Sequence, residues 1–131
     1  MQRLLLVDDD APLLQVFEQV FTFEGYAVYL ASTLDVARTA LRQQAVDVII
    51  SDTMMPRWDP QLPVVHQLQQ AAPTTPLVLF TAHGAAAELD TAAHQLAAVW
   101  LKPIDLDQAL DALHALVGEP AVQLETASPR G

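Results

Sequence analysis

The chain has 131 residues, 52% of them hydrophobic and 17% charged, which is one domain's worth of sequence with enough apolar material to bury a core. Six basic against sixteen acidic residues give a net charge of −10, which argues against a bare nucleic-acid or anionic-membrane binder, since both need a basic surface. Cysteine is absent, so disulfides, zinc–thiolate sites and thiol nucleophiles are excluded. The longest unbroken apolar runs, Tyr26–Ala31 and Leu96–Leu101, are six residues each, against the roughly 20 that span a bilayer. Ahead of the first aspartates stand only Arg3 and Leu4–Val7, too short for a signal-peptide core, so a cytoplasmic domain is expected.

Leu4–Val7 is a compact apolar run stopped by Asp8-Asp9-Asp10 and reads as a strand buried on both faces. Leu13, Leu14, Phe17, Val20 and Phe21 recur at helical spacing, with Pro12 in the first turn, Asp10 as the cap and Gly25 as the stop. Tyr26–Ala31 predicts the second strand, and Ser32 with Asp35 predicts the start of a second helix. Val46–Ser51 is the third strand, ending at Asp52. Two prolines make Met54–Pro60 a loop, after which Asp59 is expected to cap a helix carrying Leu62, Val65 and Leu68. Leu77–Phe80 is a fourth strand closing at Thr81. A weak fourth helix, Ala85 to about Gln95, is expected next, with few large apolar residues. Val99–Leu101 is a fifth strand stopped by Lys102-Pro103, and Asp105 caps a last helix striped by Leu106, Leu110, Leu113 and Val117. Residues 1–118 read as the domain and 119–131 as a C-terminal tail or the start of a linker.

Five strands alternating with five helices imply an α/β fold, a doubly wound parallel sheet whose functional crevice lies at the carboxyl ends of the strands. The residues that stop the strands there are Asp8, Asp9, Asp52, Thr81 and Lys102, the last being the chain's single lysine. Three carboxylates on one rim repel one another unless a cation joins them. Hard oxygen ligands suit Mg²⁺, Mn²⁺ or Ca²⁺, and a site with few protein ligands that keeps its waters suits Mg²⁺. One carboxylate can also act as a nucleophile, a lysine can neutralise phosphoryl oxygens, and a threonine can donate a hydroxyl to one of them. The inferred chemistry is Mg²⁺-assisted phosphoryl transfer onto a carboxylate.

Val7-Asp8-Asp9-Asp10, Ile50-Ser51-Asp52-Thr53-Met54-Met55-Pro56, Phe80-Thr81-Ala82 and Leu101-Lys102-Pro103 resemble the receiver domain of two-component response regulators. The resemblance implies a flavodoxin-like sheet of order 2-1-3-4-5. It implies that Asp52 accepts a phosphoryl group from a histidine kinase. Asp8, Asp9, Asp52 and the backbone carbonyl of Met54 would hold Mg²⁺, with Mn²⁺ as a substitute. Thr81 and Lys102 would contact the phosphoryl oxygens. It also implies an acceptor rather than an enzyme, with a sensor histidine kinase or phosphotransfer protein as partner. A homodimer through the fourth helix, fifth strand and last helix, and an output domain fused after residue 118, are further candidates. Neither nucleic acid nor membrane is an expected partner.

Several positions depart from the family pattern. The loop after the acceptor usually carries two glycines, and Arg57 and Pro60 stand there, beside Trp58. The switch position on the fifth strand is usually aromatic, and it is Val99; Trp100 beside it must point to the opposite face. The glycine usual ahead of that strand is missing near Gln95. Met54 and His83 occupy the positions that govern access of water to the acyl phosphate. Met54 shields it and should slow dephosphorylation, whereas a His83 imidazole could act as a base. His66, His94 and His114 read as scattered surface residues on helices. A haloacid-dehalogenase-type phosphatase with Asp8 as nucleophile and Asp10 as acid is the enzyme alternative, but Pro12 stands where it needs threonine or valine. A flavodoxin-like cofactor binder would need a Ser/Thr/Gly-rich phosphate loop where this chain has three aspartates.

Overall fold

Every strand of the chain must be apolar on both faces, because helices cover both sides of a parallel sheet. In the computed structural model, which describes residues 2–52, 59 and 61–117, the strands are β1 (Arg3–Val7), β2 (Ala27–Ala31), β3 (Val48–Ser51), β4 (Leu77–Thr81) and β5 (Ala98–Leu101). All neighbours pair in parallel, in the order β2-β1-β3-β4-β5. The helices are α1 (Ala11–Phe23), α2 (Leu34–Gln43), α3 (Pro63–Ala71) and α4 (Leu106–Val117), with a short 3-10 segment at Gly84–Glu88.

The period-two alternation of the strands divides the core into two layers. Leu4, Leu6, Ile50, Val78, Phe80 and Trp100 face α1 and α4, where they meet Leu14, Phe17, Phe21 and Leu113. Leu5, Val7, Ile49, Leu77 and Leu79 face the other way, onto Ala37 of α2 and Val65 and Leu68 of α3. Val99 packs at the margin of this second layer, opposite in direction to Trp100, as the alternation requires.

Local chemistry sets the helix ends. Asp10 Oδ1 accepts the Leu13 N–H at 3.1 Å and caps α1. Gly25, at φ 102°, ends it: its N–H reaches the Thr22 carbonyl and the Tyr26 N–H reaches Phe21, so the left-handed glycine satisfies the final carbonyls. Two expected caps are displaced. Thr33 rather than Ser32 caps α2, its Oγ1 accepting from Val36 at 3.2 Å. Asp59 does not cap α3; its carboxylate accepts from Gln61 at 2.9 Å, and the chain enters the helix through Leu62 at φ 53°.

The expected fourth helix does not form. Only the 3-10 segment Gly84–Glu88 is helical, so the described residues contain four α-helices rather than five. The reason lies in what a helix there would bury: Ala86 and Leu96 are the buried residues of the stretch, and alanine contributes little area. Polar side chains then win the backbone. His83 Nδ1 accepts the Ala85 N–H at 3.2 Å, and Asp90 Oδ1 accepts those of Ala92 and Ala93, both at 3.1 Å. The turn into β5 is made by Gln95 at φ 59°, where a glycine would sit without strain. Replacing Gln95 by glycine is therefore expected to stabilise the protein by up to about 1 kcal/mol in urea denaturation, while alanine at that position brings no gain.

Candidate functional site

The parallel registers bring the polar strand ends together. Val7 lies opposite Ser51 and Thr81 opposite Leu101. The ladders run one residue further: Asp8 N–H donates to Ala31, Asp52 N–H to Val7 at 2.8 Å and Lys102 N–H to Thr81 at 2.8 Å. Asp8 and Asp52 are 4% and 3% exposed, and Thr81 is fully buried. Asp9 is exposed at the edge of an open groove of about 480 Å³ that Ser32, Leu34, Pro63 and Val64 help to line.

One carboxylate oxygen from each of Asp8, Asp9 and Asp52 lies within 4.8 Å of the others. With Mg–O bonds of about 2.0–2.1 Å, ligand oxygens on one ion stand about 3 Å apart when adjacent and about 4.2 Å when opposite, so the three carboxylates are close enough to converge on one divalent ion by side-chain movement. The donor set is all oxygen, as a hard cation requires. Lys102 Nζ reaches into this cluster, 2.7 Å from Asp8 Oδ2 and 3.8 Å from Asp52 Oδ2. It also lies 5.1 Å above the Phe80 ring, a cation–π contact that holds the ammonium from the core side. Asp8 is fixed twice, since Oδ1 accepts the Asp10 N–H at 2.9 Å while Oδ2 takes the lysine. An ion entering the cluster must share Asp8 with Lys102 or displace it. The Lys102–Pro103 peptide bond is cis.

All five rim residues named from sequence, Asp8, Asp9, Asp52, Thr81 and Lys102, thus sit at one end of the sheet. Thr81 Oγ1 accepts the His83 N–H at 3.1 Å, which ties the threonine hydroxyl to the start of the 3-10 segment. His83 Nδ1 accepts the Ala85 N–H at 3.2 Å, which ties this nitrogen to the 3-10 segment. Met54 and Trp58 lie outside the described residues. Asp8 and Asp10, weighed as nucleophile and acid of a phosphatase, are occupied as lysine partner and helix cap. His66, His94 and His114, expected as scattered surface residues on helices, are half-buried, and His94 lies on a turn. His66 and His94 meet with ring centroids 5.3 Å apart, and His114 is half-buried against Tyr26 at 6.2 Å. Sequence separation hid both contacts, because His66 and His94 are 28 residues apart.

Comparison with known proteins agrees with this geometry. The model of the response regulator receiver domain matches residues 4–114. Transcriptional regulatory protein GlrR of Escherichia coli (strain K12) is 35% identical over 113 residues, covering 83% of this chain and 25% of that protein. Response regulator MprA of Mycolicibacterium vanbaalenii is 31% identical over 119 residues, covering 88% of the chain and 50% of that protein. The chain therefore spans between a quarter and a half of the length of these relatives. Among solved structures, the non-phosphorylated HemR receiver domain of Leptospira biflexa superposes with a TM-score of 0.77 at 24% identity, covering 89% of this chain and 94% of that one. TrrA of Thermotoga maritima in complex with Mg²⁺-BeF gives 0.74 at 22% identity, covering 88% and 99%. At these identities the two structures establish the fold. By the family match over most of its length and by its curated relatives, the chain belongs to the response regulator receiver domain family.

Proposed function

We propose that Asp52 is the phosphoacceptor of this receiver domain and that Asp8, Asp9 and Asp52 hold the Mg²⁺ that assists the transfer. The observation that carries this reading is the meeting of three carboxylates and the only lysine on one rim. Asp8 is held by Asp10 and Lys102, and Asp9 is solvent-facing; Asp52 directly follows β3, the strand between β1 and β4. When bound, the metal neutralises charge on the phosphoryl oxygens, and Mn²⁺ fits the same oxygen set. Asp52 Oδ attacks the phosphorus of a phosphohistidine, the P–N bond breaks and the imidazole leaves. Lys102, 3.8 Å from Asp52, turns from carboxylate to phosphoryl oxygen, and Thr81 contributes its hydroxyl. The chain acts as acceptor and switch, not as an enzyme on other substrates, in the cytoplasm. Its partners are a sensor histidine kinase or phosphotransfer protein, with an output domain after residue 118 and a second copy docking on the β5–α4 face.

Acetyl phosphate with Mg²⁺ should add one phosphoryl group to the wild type by mass spectrometry, and Asp52→Asn should acquire none. An adduct of equal yield on Asp52→Asn would refute the assignment.

Thr81 Oγ1 accepts the His83 N–H, so a rotation or shift that aims its O–H at a phosphoryl oxygen pulls on that bond, and His83 in turn holds Ala85. The disturbance therefore enters residues 82–95, which bury little and are cheap to reorder. Val99, small and stiff at χ1, has no large side chain to swing. Beryllofluoride with Mg²⁺ should change amide hydrogen exchange more in 82–95 than at Val99. Changes confined to β5 would contradict this route.

A further inference from the structure

His66 lies on α3 and His94 on the turn that leads into β5, both half-buried. His94 Nδ1 and His66 Nε2 are 3.2 Å apart, with the rings inclined at 34°. Gln69 fixes where the protons are. Its Nε2 amide donates to the carbonyls of His94 at 2.9 Å and Gln95 at 3.2 Å, which leaves Oε1 facing His66 Nδ1 at 3.1 Å. Oε1 only accepts, so His66 Nδ1 carries the ring proton and Nε2 presents a lone pair. His94 Nδ1 donates to that lone pair.

We propose that His66 Nε2 and His94 Nδ1 form a binding site for a divalent transition-metal ion of the Zn²⁺ type, separate from the acidic rim. Zn–N bonds of about 2.0–2.1 Å in tetrahedral geometry place two ligand nitrogens about 3.3–3.4 Å apart, and these two stand at 3.2 Å. A ligating histidine ordinarily donates its other ring N–H to an oxygen that fixes tautomer and orientation, and Gln69 already does so for His66. To bind, His94 releases its Nδ1 proton and takes one up at Nε2, so the imidazole stays neutral. Among the described residues the group of three acidic or imidazole ligands is Asp8, Asp9 and Asp52, so water completes the shell at the histidine pair. Imidazole suits Zn²⁺, Cu²⁺ and Ni²⁺, whereas the rim's oxygens suit Mg²⁺. The ion would staple α3 to the 90–96 turn, adding to the Gln69 side-chain bonds that now link the two.

The test is a Zn²⁺ titration of the whole chain with Mg²⁺ in large excess to fill the rim, followed by calorimetry and imidazole ¹⁵N NMR. One Zn²⁺ per chain should bind, shifting the His66 and His94 resonances and slowing amide exchange over 91–96. His94→Gln should abolish this binding, Gln69→Ala should weaken it about tenfold or more, and Asp9→Asn should leave it intact. Equal binding by His94→Gln, shifts confined to His83 or His114, or loss on Asp9→Asn would each overturn the site. A His94→Gln variant that failed to fold would lose its circular dichroism signal, and Gln69→Ala then decides: undiminished affinity would count against the proposal.

Discussion

Asp8 and Asp52 terminate adjacent parallel strands, and the register leaves both on one rim, almost wholly withdrawn from water, with Asp9 beside them. Removing two carboxylates from solvent is costly unless a cation and donors accompany them. Among the described residues the cation at the rim is Lys102, delivered by the end of β5, two strands from β3 and three from β1. The Asp8–Lys102 bond of 2.7 Å is the interaction on which the arrangement of the site depends. Lys102 offsets the rim charge, and a divalent ion that enters must share Asp8 with it or displace it.

The core beneath the rim is built around that lysine. Phe80 lies under the ammonium, stacks on Phe17 at 5.2 Å and takes the edge of Trp100 at 6.3 Å. Phe17 and Phe21 continue the array to Tyr26. The layer shared with α1 and α4 thus gives Lys102 a rigid floor. The opposite side of β5 is different: Val99 is half-exposed, and the segment that covers its neighbourhood is a 3-10 turn pinned by polar side chains. One face of the sheet resists displacement and the other yields to it. The response to charge at Asp52 should travel through the yielding face.

The sheet and its rim were legible because the signals were local and redundant. Leu4–Val7, Val48–Ile50 and Leu77–Phe80 are apolar without break, each stops at a polar residue, and parallel order then forces the stops to one end. What failed were features decided by tertiary competition. Ala85–Gln95 has helical propensity, yet propensity is a weak prior where there is little to bury and where Asp90, His83 and Gln69 offer the backbone other partners. Gln95 was noted for the glycine it replaces, and its φ of 59° shows that the turn kept its shape without one. Ser32 and Thr33 both suit a cap, and one residue of register chose between them. The His66–His94 contact joins a helix to a turn that was expected to be helical, so no spacing rule reached it.

The central claim is that Lys102 and a divalent cation offset the same charge. It is tested most directly by urea denaturation of wild type and Lys102→Met, each with and without Mg²⁺. Losing the ammonium should destabilise the metal-free protein and leave the carboxylates without a competing cation. The stabilisation by Mg²⁺ should then be larger in Lys102→Met than in the wild type, by on the order of 1–3 kcal/mol for unit charges this close in a partly buried setting. An equal or smaller Mg²⁺ increment in the variant would show that lysine and metal act on separate charges, contrary to this account.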